Sequence, residues 1–340
     1  MFTVWYFRVV FQGRISGAYF RVVIQGRNEE QQLGTHEMSA TLDVILDGLM
    51  SRYSQRVPDV ARLMTLLIDR KIVASADRID NDHVAFRTMG VTQLGIQSLE
   101  AVFLHHGYTR KDAYQFKQKK LDAFWYSPPD PKYPRIFISE LRVGDLSDSA
   151  QAIIRSYTDE VTHDPVKQLD LDDGSAVDDF LHSPLWRTPT WQDFQTLLSE
   201  SEYAAWVIYN RYYLNHFTVS VHNLPSGFNT VEKFNRFLEG EGFRLNDSGG
   251  KIKTSRDGLL QQSSTVAAMT QASFDDGNGG TETHEIAGSY VEFACRGVLP
   301  EFQDLPSDQV GREHRRDGFE ASNADKIFES TYRTQTKKDQ

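Results

Sequence analysis

Apolar residues three and four apart open the regular part of the chain. Leu42, Ile45, Leu46 and Leu49, then Val60, Leu63, Met64 and Leu67, each trace one helical face, and Pro58 divides the stretch 39–71 into two helices. The period then shortens. DHVAFRT (82–88) is β-branched and aromatic and reads as a strand, IQSLEAVFLHHG (96–107) as a helix with a glycine stop, and KLDAFWYS (120–127) and RIFISELRV (135–143) as strands parted by Pro128 and Pro129. A helix over 147–162 follows, then LDLDDGSAVDD (169–179), read as a solvated loop, and an aromatic segment from Trp186 to Trp206. The earlier order then returns: NHFTVSVH (215–222) as a strand, TVEKFNRFLEGEGF (230–243) as a helix, and LLQQSSTVAAMTQASF and HEIAGSYVEFACRG as long strands joined by a hairpin loop at DDGNGG (275–280). Element order repeats although the letters do not, which predicts an α+β protein built from two βαβββ modules, with additional helices. Module one is expected over about 80–145, a helical insertion over about 147–210 and module two over about 213–298, within a domain spanning 38–333 and ending in a polar tail, 334–340.

Composition narrows the function. The 340 residues carry a net charge of −10, a field that repels phosphate backbones and anionic bilayers, so neither nucleic acid nor membrane is expected as a partner. Mean hydropathy is −0.48, and no run approaches the roughly 18 apolar residues of a membrane span. A single cysteine, Cys295, excludes thiolate-rich zinc and iron–sulfur sites and fits a reducing compartment, expected to be the cytoplasm. The N-terminus stands apart: YFRVVFQGR (6–14) recurs as YFRVVIQGR (19–27), rich in arginine and free of acid before Glu29. A β-hairpin, a poorly ordered extension over 1–37 and a mitochondrial targeting segment are the readings open there.

Residues able to bind metal fall at matching places in the two modules. His83 and His216 stand near the start of each opening strand, each just after a polar residue (Asp82, Asn215), while Glu140 and Glu292 stand in the closing strands. Two imidazoles and one carboxylate on one face of an octahedral ion leave three positions open, an arrangement suited to Fe(II), substrate and O₂. For Glu140 three roles are open: a fourth ligand, an outer partner that orients a ligand, or an ion pair with Arg142. His83, Ala85 and Arg87 share one strand face, as do Glu292, Ala294 and Arg296. Arg87 lies about 13 Å of backbone from His83, placed either to grip a carboxylate remote from the metal or to make a plain salt bridge. Gln262 and Ser264 share another strand face and are candidates to hydrogen-bond a substrate, whereas Cys295 is out of phase with Glu292. No GxGxxG, P-loop, HExxH or GxSxG motif competes with this reading.

DHVAFRT, IFISEL, SEYAAWV, NHFTVSVH, LLQQSSTVAA, YVEFACRG and GFEASNADKIFEST together resemble the 2-oxoadipate dioxygenase/decarboxylase (2-hydroxyglutarate synthase) family of the vicinal oxygen chelate superfamily, from about residue 40 to about 333. The resemblance implies a barrel-like pair of βαβββ modules around one Fe(II), with ligands falling on His83, His216 and Glu292 and a substrate-gripping arginine on Arg87. It implies conversion of 2-oxoadipate and O₂ to 2-hydroxyglutarate and CO₂ in lysine catabolism. Two departures bear on substrate identity. The chain is shorter than bacterial members at its C-terminal side, and Ala294 and Cys295 stand where acidic or polar residues are familiar. Other readings within the superfamily are a divalent-metal isomerase, lyase or ring-opening dioxygenase, and a different class is a non-catalytic module that binds a small acid. A four-ligand site using Glu140 would favour zinc or nickel.

Overall fold

The computed structural model describes residues 29–337, with side chains from residue 39, so the repeated N-terminal segment lies outside the described residues. The first helix, α1, spans Glu29–Arg56, beginning before the expected domain start near Met38, and α2 spans Pro58–Asp69 with Pro58 at its first turn. Leu42, Ile45, Leu49 and Tyr53 of α1 and Val60, Leu63 and Leu67 of α2 are buried, the faces that helical spacing selects.

Module one runs β1 (Asn81–Met89), α3 (Ile96–His105), β2 (Thr109–Phe116), β3 (Leu121–Ser127) and β4 (Arg135–Leu141). Four helices follow: α4 (Asp148–Thr158), α5 (Gly174–His182), α6 (Trp191–Glu200) and α7 (Glu202–Asn210). The acidic stretch read as a solvated loop thus ends in a helix, α5, because Asp173 accepts from the amides of Ser175 and Ala176 and caps it. Module two runs β5 (His216–Ser220), α8 (Val231–Gly240), β6 (Lys253–Thr254), β7 (Leu260–Ser264), β8 (Met269–Asp275), β9 (Thr281–Ala287) and β10 (Tyr290–Arg296). Short helices α9 (Ala321–Ile327) and α10 (Arg333–Thr336) end the described chain. Gln335 and Thr336 are buried there, so the stretch expected to be a polar tail starts inside the protein.

The eight-stranded sheet has the order β2-β3-β4-β1-β5-β10-β7-β6. Read outward from its centre, β1-β4-β3-β2 is matched by β5-β10-β7-β6, the predicted pair of βαβββ modules. Its seam is the antiparallel pair β1·β5, flanked by two parallel pairs, β1·β4 and β5·β10. The two long strands expected in module two are each broken: β8 and β9 leave the sheet as a separate hairpin between β7 and β10. One face of the sheet is covered by α3 and α8, where Phe86 meets Phe103 and Phe293 meets Phe234. The other face carries the polar residues described next. Among the described residues no helix is long and apolar enough to cross a membrane.

Candidate metal centre

Strand register decides which side chains meet. Opposite one another across β1·β5 stand His83 with Thr218 and Ala85 with His216, and across β5·β10 stand Thr218 with Glu292 and His216 with Tyr290. Because alternate residues share a face, His83, His216 and Glu292 emerge on the same side of three adjacent strands. A β-bulge between Asn81 and His83 makes Asp82 the surplus residue of β1.

The candidate ligand atoms of His83, His216 and Glu292 lie within 4.8 Å of one another, and all three residues are buried. His216 Nε2 is 3.1 Å from Glu292 Oε2, His83 Nε2 is 3.5 Å from Glu292 Oε1, and the two Nε2 atoms are 3.4 Å apart. Donors bound to one ion at roughly 2.1 Å would stand about this far from each other. Both Nδ1 atoms face acceptors, Asp82 Oδ1 at 2.8 Å and Asn215 Oδ1 at 3.1 Å, which keeps the ring proton there and turns the Nε2 lone pairs inward. Burial disfavours charge on all three groups. Even so, the imidazoles hold Glu292 well below its ordinary value, and Glu292 with Asp82 raises His83, while at His216 burial prevails and lowers it. The cluster therefore calls for a cation, and the donor set fits a divalent metal.

Partners behind the ligands fix them. Arg296 grips Asp82 with both arms, Nε to Oδ2 at 2.6 Å and Nη2 to Oδ1 at 2.8 Å. Burial alone would lift the Asp82 carboxyl, yet Arg296 and Arg135 hold it well below the ordinary range. Gln262, expected at the substrate, lines the same hollow; it donates to Glu292 Oε1 at 2.6 Å and accepts from Asn323, which orients the Glu292 carboxylate. Ser264, also expected at the substrate, is hydrogen-bonded to Ser330 at 2.8 Å. Glu140 lies on the opposite strand face from Ser139 and accepts from the Ile96 amide at the start of α3; it is neither a fourth ligand nor a neighbour of one. Arg142 pairs with Asp122 and Asp145 rather than with Glu140.

Arg87, 1% exposed, points into the same hollow. It donates to two neutral oxygens, Thr331 Oγ1 and the Phe328 carbonyl, each at 3.0 Å, and its Nε has no partner among the described residues. Tyr203, Trp206 and Phe328 rings surround the guanidinium at 5.1–5.6 Å. The hollow retains only about 20 Å³ of free space, because Phe319, Ala324, Ile327 and Phe328 close it from the C-terminal side. Sequence reasoning passed over Tyr290, whose buried hydroxyl has no partner among the described residues and whose ring lies 4.8 Å from that of His216. Its signal was the two-residue step from Glu292, which puts both on one face.

Comparison with known proteins agrees with the geometry. A family profile described as 2-oxoadipate dioxygenase/decarboxylase matches residues 45–308. The chloroplastic/amyloplastic 2-oxoadipate dioxygenase/decarboxylase of Oryza sativa subsp. japonica is 44% identical over 297 residues, 84% of this chain and 78% of that protein. The chloroplastic counterpart of Arabidopsis thaliana is 44% identical over 278 residues, 78% of this chain and 72% of that protein. The crystal structure of the Oryza sativa hydroxyglutarate synthase in complex with 2-oxoadipate superposes with a TM-score of 0.76 at 40% identity, covering 95% of this chain and 99% of that one. These relatives correct the expected location: both are plastid proteins, which points away from the cytoplasm and from the mitochondrial alternative. With a matching profile, curated relatives over most of its length and a shared structure, this chain belongs to the 2-oxoadipate dioxygenase/decarboxylase family.

Proposed function

We propose that this protein is a non-haem Fe(II) enzyme converting 2-oxoadipate and O₂ to 2-hydroxyglutarate and CO₂, a step of lysine catabolism. One observation carries the metal assignment: two imidazole Nε2 atoms and one carboxylate, all buried, converge on a single point. His83, His216 and Glu292 would hold the ion, which when bound supplies electrons for O₂ and a Lewis-acidic anchor for a 2-oxo acid. Glu140 is engaged at α3, so three protein donors remain and the four-ligand zinc or nickel reading loses its fourth member.

The chain's own residues do the positioning. Asp82 and Asn215 hold the two rings in the tautomer that offers Nε2, and Gln262 holds Glu292. Arg87 supplies a buried positive charge on the same strand face as His83, four residues along, where it would exchange the neutral Phe328 and Thr331 oxygens for the distal carboxylate of the substrate. Phe137, Phe319 and Phe328 line the space between and exclude water, so that the carbon to be hydroxylated is held in one place. Residues 38–333 would act as one unit, the two modules each bringing one histidine to the seam.

Anaerobic loading with Fe(II), followed by oxygen-uptake assays on 2-oxo dicarboxylic acids of graded length, tests the proposal. Uptake that is fastest with 2-oxoadipate and releases CO₂ is expected. Equal rates with zinc in place of iron, or no oxygen uptake with 2-oxoadipate, would sink it.

A further inference from the structure

A second polar cavity, of about 200 Å³, lies at the end of the sheet where β1 and β4 begin and β5 and β10 run out. Four arginines line it, Arg135, Arg296, Arg312 and Arg315, against two aspartates, Asp80 and Asp82. Even with Asp317, the outer partner of Arg135, a positive charge is left over. Arg296 has its bonds filled, by Asp82 and by the carbonyls of Arg316 and Gly318. Two of the other three, Arg135 and Arg312, do not.

Arg135 is 2% exposed. It gives Nε to Asp317 at 2.5 Å and Nη1 to Asp82 Oδ2 at 3.4 Å, while its Nη2 is buried with no partner among the described residues. Arg312, on a different segment, gives Nη1 to the carbonyls of Pro131 and Tyr133, and its Nη2 is likewise buried and without a partner among the described residues. A buried donor left without an acceptor is costly, more so when charged, so two such nitrogens on guanidinium groups lining one cavity mark a place prepared for an acceptor. Burial foremost, with the charges of Arg296 and Arg312, pushes Arg135 down to about 10, the strain that a bound negative charge would relieve.

We propose that this cavity is a binding site for a compact oxyanion, a carboxylate or a sulfate- or phosphate-like group, held by Arg135 and Arg312. Planar guanidinium forks match the oxygens of such groups, and the excess positive charge favours an anion over water. The site is separate from the concave hollow, whose lining it does not share. Asp82 links the two: its carboxylate lines this cavity and also accepts from His83. An anion bound here therefore rests against the group that orients a proposed metal ligand. The assignment stands on the cavity alone and holds whatever reaction the hollow performs.

Calorimetric titration of sodium sulfate, and separately sodium acetate, into the full-length metal-loaded protein tests it, with ionic strength held by sodium chloride. Saturable binding of one or both anions is expected, weakened about tenfold or more in Arg312→Met. Val310→Glu, which adds a carboxylate to the cavity wall, should weaken it as well and guards against misfolding of the arginine variant. Arg87→Met should leave it unchanged. Sulfate alone binding would assign a dianion site and acetate alone a carboxylate site, and either supports the proposal. Absence of saturable binding for both anions overturns it, as does binding lost in Arg87→Met and kept in Arg312→Met, which would put the anion in the hollow.

Discussion

Each imidazole at the candidate metal centre depends on the residue just before it in the chain, Asp82 for His83 and Asn215 for His216. Replacing Asp82 with Asn keeps the shape but removes the charge that Arg296 and Arg135 share. Metal affinity is expected to fall roughly 10–100-fold, as for other partners behind metal ligands. Leaving two buried arginines short of a counter-charge is expected to cost about 3–5 kcal/mol, read by denaturant titration. At Arg87 the expected outcome differs. Arg87→Lys loses the fork, so kcat/KM for 2-oxoadipate should drop about 10–100-fold, mostly through KM, while bound iron stays at the wild-type level. That His83, His216, Glu292 and Arg87 would share one face was legible in the sequence, because residue type and a period of two carry that information. The hydrogen-bond partners of Gln262 and Ser264 were not, since which neighbour a polar side chain bonds depends on α9 and the turn after it, far along the chain.

Among elements, the closing segment from Phe319 to Thr336 covers the C-terminal side of the hollow and is expected to govern access. With about 20 Å³ free, the hollow cannot admit a six-carbon diacid until that segment shifts and Arg87 releases Phe328 and Thr331. Amide hydrogen exchange should therefore be faster across 321–331 than in β1, β5 and β10, and anaerobic addition of 2-oxoadipate should slow it there while leaving the sheet unchanged. Equal protection in both regions would argue for another entrance. Sequence patterns located β1, β3, β4, β5 and the buried helix faces, all of which alternate or repeat cleanly. They missed β2, an edge strand exposed along nearly its whole length, whose TRKDAYQF shows no apolar alternation. They also fused β7 with β8 and β9 with β10, because a strand leaving one sheet for another keeps its composition and changes only its pairing.

For the whole molecule, the ion would act as a clasp across the β1·β5 seam, where the halves meet. Chelating it should lower the melting temperature by several degrees, and re-adding Fe(II) should restore it, since a ligand at one hundred times its Kd stabilises by about 2.7 kcal/mol. A melting temperature indifferent to chelator would show that the halves hold together without it. The doubled architecture was visible in element order, yet the meeting of the halves was not, because register across a seam is set by pairing between strands more than a hundred residues apart. One detail of that pairing has a consequence for how such a site persists. Asp82 is the unpaired extra residue of its ladder, so the phase that brings both Asp82 and His83 to bear depends on chain length rather than on residue type. Deleting one residue there would turn the preceding part of the strand over while altering nothing else in the pocket's composition. Drift by point substitution leaves that offset intact, and only an insertion or deletion can create or erase it.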